Sequence, residues 1–208
     1  MTRPGDRPEA VVFDLGNVLI HWDPHPAIAA SVGEEEARRF LTAEDFDFAS
    51  WNHQQDAGRG WADAEADVHR THPHWHRHAT AYRANFEASL TGAAEDVVTV
   101  LRDLHAGGVP LYALTNWSAE LFPYALDRFE FLDLFEDIVV SGRVGLAKPD
   151  PAIFAELERR VGRPLPRCVF TDDSPANVAA ARAAGLDALH FTGAERLRRD
   201  LRERDLPV

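Results

Sequence analysis

Ala10-Val11-Val12-Phe13-Asp14-Leu15-Gly16-Asn17-Val18 is the stretch that decides the fold. Four apolar residues, two of them β-branched and one aromatic, run directly into an aspartate. That pattern predicts a short strand buried on both faces, ending in a polar turn. The pattern recurs. Leu111-Tyr112-Ala113-Leu114 ends at Thr115-Asn116, and Cys168-Val169-Phe170, which Arg167 precedes, ends at Thr171-Asp172-Asp173. Ile138-Val139-Val140 marks a further strand, and residues 188–191 a weaker fifth.

Helical patterns lie between these runs. Val97, Val98, Leu101 and Leu104 recur at helical spacing, and Gly107-Gly108 stop that helix. Asp150-Pro151 and Ser174-Pro175 each pair an N-cap residue with a proline at the first helical position. Residues 194–203 form a highly charged last helix expected on the outside. Pro123 is expected to kink a helix over residues 118–131. Strands alternating with helices predict an α/β fold: a Rossmann-like parallel sheet covered by helices on both faces. Ligands in such sheets bind beyond the carboxyl ends of the strands. Asp14, Thr115, Asn116, Asp172 and Asp173 all fall there, and Lys148 lies in the loop before a helix start.

Residues 23–90 break the alternation. They are poor in strand patterns and carry scattered aromatics, among them Phe40, Phe46, Phe48, Trp51, Trp61, Trp75, Tyr82 and Phe86. The expected organisation is a core domain of residues 1–22 and 91–208, with a small all-helical cap of residues 23–90 inserted after the first strand. On the cap, Trp51 and His53, with Asn52 and Gln54 beside them, are candidates for contact with a substrate. His72, His74, His76 and His78 invite a zinc reading, since 72/76 and 74/78 would share helix faces. No carboxylate or cysteine completes such a site, so a solvated segment is expected.

Composition sets the outer limits. The chain has 208 residues, enough for one core or a core with a small accessory unit. Its net charge of −12 opposes binding to nucleic acid. A small phosphate ester is still admitted, because a bound cation reverses the local field. Cys168 is the only cysteine, so no intrachain disulfide can form, as expected of a cytoplasmic protein. It sits in an apolar run, where a buried structural thiol is expected. Residues 1–9 are polar and lack the apolar centre of a signal peptide. Residues 10–20 are interrupted by Asp14, Gly16 and Asn17, and are roughly half the ~20 needed to span a membrane.

Phe13-Asp14-Leu15-Gly16-Asn17-Val18, Leu114-Thr115-Asn116, Lys148-Pro149-Asp150-Pro151 and Phe170-Thr171-Asp172-Asp173-Ser174-Pro175-Ala176-Asn177, in that order, resemble the haloacid dehalogenase-like hydrolases with a helical cap after the first strand. The match is to a branch with an Asp-Leu-Gly-Asn opening that includes sugar-phosphate phosphatases. The resemblance implies that Asp14 attacks phosphorus and forms an aspartyl-phosphate. It implies Mg²⁺ held by the Asp14 carboxylate, the Gly16 backbone carbonyl and Asp173, with Asp172 either a second acid at the metal or the group that orients Lys148. Lys148 would hold Asp14 and the phosphoryl oxygens, while Thr115 and Asn116 would donate to those oxygens. Asn17 is a further phosphate-binding or water-orienting candidate.

One departure stands out. Many relatives carry a second aspartate two residues after the nucleophile, as general acid and base. Here that position is Gly16. Asn17, His21 and His53 are the candidate substitutes. The expected reaction is Mg²⁺-dependent hydrolysis of a small phosphate monoester, such as a sugar phosphate or nucleotide. The alternatives are a 2-haloacid dehalogenase using the same Asp14, and a catalytically silent binding or regulatory module. The oligomeric state, monomer or homodimer, is left open.

Overall fold

The computed structural model describes residues 7–208. Of the reading of residues 1–9 and of the 1–22 segment, the part resting on residues 1–6 lies outside the described residues.

The expected strands pair into one parallel sheet. β1 (Ala10–Phe13) lies at its centre, with β4 (Leu111–Thr115) on one side and β6 (Cys168–Asp172) on the other. β5 (Asp137–Val140) and β7 (Asp187–His190) complete the order β5-β4-β1-β6-β7. Every residue of β1 is fully buried, which explains its unbroken apolar run. Successive side chains of each strand enter opposite cores. Val11, Phe13, Leu111, Ala113 and Val169 face one side, where α6 (Glu95–Ala106) and α11 (Ala194–Arg202) supply Val98, Leu101, Leu197 and Leu201. Ala10, Val12, Leu114 and Phe170 face the other, against Ile153, Phe154 and Leu157 of α9 (Pro151–Val161) and Val178 and Ala181 of α10 (Pro175–Ala183). α11 is therefore outside yet anchored by its leucines. Cys168 is buried in the second core, where burial pushes its thiol up to about 11.

The proline-marked helices start as expected. Asp150 caps α9 by accepting from the Ala152 N–H at 2.8 Å, and Ser174 caps α10 by accepting from Asn177. Pro123 behaves differently. It sits in the first turn of α7 (Phe122–Arg128), so it begins a short helix instead of kinking a long one.

The insertion is framed by a feature that the sequence pattern did not show. β2 (Ile20–Trp22) and β3 (Leu90–Ala93) pair antiparallel, bringing the two crossings of the chain side by side. Between them run α1 (Pro24–Val32), α2 (Glu34–Leu41), α3 (Phe48–Asp56), α4 (Trp61–Thr71) and α5 (His76–Ala84). Their scattered aromatics form one cluster. Phe40 is fully buried, with ring centroids of Phe46, Phe48, Trp75 and His78 within 5.0–5.7 Å. His78 is thus a core residue, correcting its expected exposure. His72 and His74 lie between α4 and α5, so neither pair shares a helix face. α4 also ties the insertion to the core: Trp61 Nε1 donates to Ser118 Oγ at 2.7 Å, and the Trp61 N–H to Glu120 at 2.9 Å.

Phe40→Ala removes the ring at the middle of this cluster. It is expected to lower the unfolding free energy by about 3–5 kcal/mol, read from the urea midpoint of the unfolding transition that reports the insertion.

Candidate active site

Asp14 follows β1, Thr115 ends β4 with Asn116 next, and Asp172 ends β6 with Asp173 next. Because β4, β1 and β6 are adjacent, these residues meet on one rim, where the chain's direction of strand addition reverses. Lys148 reaches the same point from the loop before α9. Its Nζ donates to Asp172 Oδ2 at 2.6 Å, to the Leu114 carbonyl at 2.8 Å and to Asp14 Oδ1 at 3.0 Å. The ammonium is fully buried. Burial alone would push its pKa down, but Asp14 and Asp172 outweigh that and hold it above the usual value.

The backbone of Lys148 is held just as firmly. Asn116 Nδ2 donates to the Lys148 carbonyl, and the Lys148 N–H donates to Asn116 Oδ1, both at 2.8 Å. Asn116 is therefore a clamp on the lysine loop. One of its two amide hydrogens is used there, and the residue also lines the cavity described below. Thr115 Oγ1 is buried with no partner among the described residues, so its hydroxyl is free to donate. Asn17 adopts a left-handed backbone (φ 56°) and accepts from the Trp22 N–H at 3.2 Å, which pins the turn after Gly16.

The carboxylates divide by how they are held. Asp172 is saturated: Lys148 and Asn177 occupy Oδ2, and the Ser174 N–H and Asn177 occupy Oδ1. It orients Lys148. Asp14 Oδ1 accepts from the Leu15 N–H at 2.7 Å and from Lys148, while its Oδ2 accepts nothing among the described residues. Asp173 is half-buried and forms no ion pair among the described residues. One oxygen from each of the three carboxylates falls within 4.8 Å of the others. Burial raises the Asp14 pKa, and Asp172 and Asp173 raise it further against Lys148. The Asp173 pKa is raised by burial and then by Asp172. Three carboxylates against one ammonium leave two negative charges uncompensated. An all-oxygen donor set with that deficit fits a hard divalent cation.

An open cavity leads from this rim to the insertion. Asp14, Gly16, Asn17, Asn116, Lys148 and Asn177 form its floor. Trp22, Trp61, Tyr82, Phe86 and Trp117 form largely aromatic walls, and Asn52 and Asp56 of α3 face it from the insertion. The site therefore includes Asp56, Asn177 and the aromatic walls, none of which the motif reading assigned. Asn52 and Asp56 are four residues apart on one helix face, but sequence alone does not say that this face looks inward. Trp51 and His53, the expected substrate contacts, do not line the cavity: Trp51 is buried among Phe46, Phe48 and Trp61, and His53 is exposed. His21 is also exposed, on β2. Neither histidine lines the cavity that Asp14 faces.

A protein-family model described as haloacid dehalogenase-like hydrolase matches residues 8–185. A phosphoglycolate phosphatase of Cereibacter sphaeroides (strain ATCC 17025 / ATH 2.4.3) is 31% identical over 190 residues, covering 88% of this chain and 84% of that protein. The sesquiterpene phosphatase astK of Aspergillus oryzae is 26% identical over 186 residues, covering 88% and 90%. Among solved structures, a HAD family enzyme of Bacteroides thetaiotaomicron in a magnesium complex superposes with a TM-score of 0.72 at 20% identity, over 93% of this chain and all of that one. A dehalogenase superposes with a TM-score of 0.65 at 17% identity, over 90% and 86%. At those identities the two structures establish the fold.

Asp56 yields a pH prediction. Burial pushes its carboxyl from the ordinary 3.8 up to about 7, against the Ser118 N–H. The folded state thus holds this proton more tightly than the unfolded chain. Its contribution to stability is complete below about pH 4 and is lost as pH rises through about 7. Asp56→Asn is neutral throughout. Its melting temperature is expected to gain on the parent's steadily between pH 4 and pH 8, and a constant difference over that range would contradict the burial argument.

Proposed function

The chain belongs to the haloacid dehalogenase-like hydrolase family, and from that premise we propose that it is a Mg²⁺-dependent phosphomonoester hydrolase working through an aspartyl-phosphate on Asp14. The observation that carries this reading is the uncompensated charge of the Asp14, Asp172 and Asp173 cluster around a single buried lysine. The phosphatase names of the relatives support it. Asp14, the Gly16 backbone carbonyl and Asp173 would hold the ion, with Asp172 behind them orienting Lys148. Bound there, Mg²⁺ would remove the repulsion between a carboxylate and an incoming phosphate dianion.

The remaining roles belong to the chain itself. Asp14 Oδ2 is the unencumbered nucleophile, held in aim by the Leu15 N–H and Lys148 on Oδ1. Lys148 holds a phosphoryl oxygen as well as Asp14, and the free Thr115 hydroxyl donates to another. Residues 23–90 act as a cap over the core of residues 1–22 and 91–208, closing the cavity and excluding bulk water. The aromatic walls pack against the carbon frame of a small metabolite ester, such as a sugar phosphate or nucleotide.

The dehalogenase reading shares the nucleophile and the Asp172–Lys148 support, but gains little from a second adjacent carboxylate, Asp173, beside Asp14. A panel of phosphate esters assayed beside 2-haloacids, with Mg²⁺ or with chelator, separates the two. The expected result is Mg²⁺-dependent phosphate release; chelator-insensitive halide release would overturn it. Asp14→Asn is expected to lower phosphate release by at least about 10³-fold with the melting temperature nearly unchanged. Asp173→Ala is expected to raise the Mg²⁺ concentration needed for half-maximal rate by more than about tenfold. An unchanged requirement would remove Asp173 from the metal shell.

A further inference from the structure

The family-like rim leaves one chemical task unassigned. An alkoxide leaving from phosphorus needs a proton, and the water that later attacks the aspartyl-phosphate must lose one. Gly16 has no side chain to do either. The titratable residues lining the cavity are Asp14, Asp56, Tyr82 and Lys148. Asp14 is the nucleophile. Lys148 is bonded to two carboxylates and a carbonyl. Tyr82 accepts from Trp22 Nε1 at 3.3 Å, and burial pushes its phenol far above the usual value, so it does not act as a base.

Asp56 is different. It ends α3 on the insertion side of the cavity, across from the rim that carries Asp14 and Gly16. It forms no ion pair among the described residues, and its neighbours are polar but neutral: Asn52 Nδ2 donates to Oδ2 at 3.2 Å, and the Ser118 N–H faces it. Asn52 Oδ1 and Trp117 Nε1, both on cavity-lining residues, are buried without partners among the described residues. A carboxyl half-buried in an aromatic cavity without a counter-charge has its ionised form disfavoured. Such perturbed groups concentrate at functional sites.

Resting on the hydrolase reading above, we propose that Asp56 is the general acid and base of this enzyme, supplied from the inserted helices in place of the side chain missing at Gly16. As the Asp14 oxygen bonds to phosphorus and the ester P–O bond breaks, the Asp56 carboxylic acid gives its proton to the departing oxygen and the alcohol leaves. Water then attacks the phosphorus of the aspartyl-phosphate. Asp56 carboxylate takes the proton from that water, the acyl-phosphate P–O bond breaks, and inorganic phosphate leaves with Asp14 ionised and Asp56 protonated again. Burial, which pushes this carboxyl up to about 7, keeps both forms populated near neutrality. The catalytic acid then arrives only when the insertion sits over the rim, so closure and proton transfer are one event.

The test compares two esters in Asp56→Asn. With Mg²⁺ present, kcat/KM for a simple alkyl phosphate is expected to fall by about 10²-fold or more, because its alkoxide needs the proton. For 2,4-dinitrophenyl phosphate, whose phenolate leaves unaided, kcat/KM is expected to fall less than about threefold, which also shows that the variant folds. Dinitrophenolate should appear in a burst stoichiometric with enzyme, since water attack on the aspartyl-phosphate is slowed. An equal fall for both esters, or no fall for either, would overturn the proposal. A parent enzyme that releases phosphate from neither ester would instead overturn the hydrolase reading beneath it, and the two failures are distinct.

Discussion

A single buried ammonium organises this molecule's rim. Lys148 Nζ is bonded to carboxylates that end two different strands and to the carbonyl of a third. In a parallel sheet these three chain ends, from β1, β4 and β6, are adjacent but otherwise unconnected beyond the last ladder bond. The lysine therefore fixes where Asp14 points. Removing the lysine would cost about 3–5 kcal/mol, because the buried carboxylates would be left uncompensated, whereas loss of Asp14 leaves Lys148 still paired with Asp172. Asn116 holds the backbone of the lysine loop and Asn177 holds Asp172, so both neighbouring amides help keep this contact in place.

The same contact leaves a deficit. One ammonium cannot neutralise Asp14, Asp172 and Asp173. Asp172 takes the larger share of Lys148, at 2.6 Å against 3.0 Å for Asp14. Asp14 is left with one engaged and one free oxygen, and Asp173 with no ion pair among the described residues. That inequality is what makes Asp14 a nucleophile and Asp173 a metal ligand in the proposed reaction, while Asp172 stays a support. In the proposed reaction, catalysis would rest largely on positioning and electrostatics, which the fixed geometry of the lysine supplies.

The rim was readable in the sequence because each of its residues follows an apolar run or precedes a proline-started helix, and both signals are local. The five strands of the main sheet and the caps at Asp150 and Ser174 came from the same signals. What escaped depends on contacts distant in sequence. The β2–β3 pair joins residues about 70 apart, with no turn to announce it. Asp56 carries no motif; its importance comes from the cavity it faces. The clamp of Asn116 on the Lys148 backbone likewise joins residues 32 apart, with no local signal for it. Pro123 obeyed the same rule as Pro151 and Pro175, but the helix it starts is too short to show a periodicity.

The most direct measurement of the central claim is to trap beryllofluoride on the protein in the presence of Mg²⁺ and follow bound fluorine by ¹⁹F NMR. The account predicts a stoichiometric adduct that requires Mg²⁺ and is located on Asp14 Oδ2, the oxygen left free by Leu15 and Lys148. A folded protein that forms no adduct at saturating Mg²⁺, or forms it on another carboxylate, would contradict it.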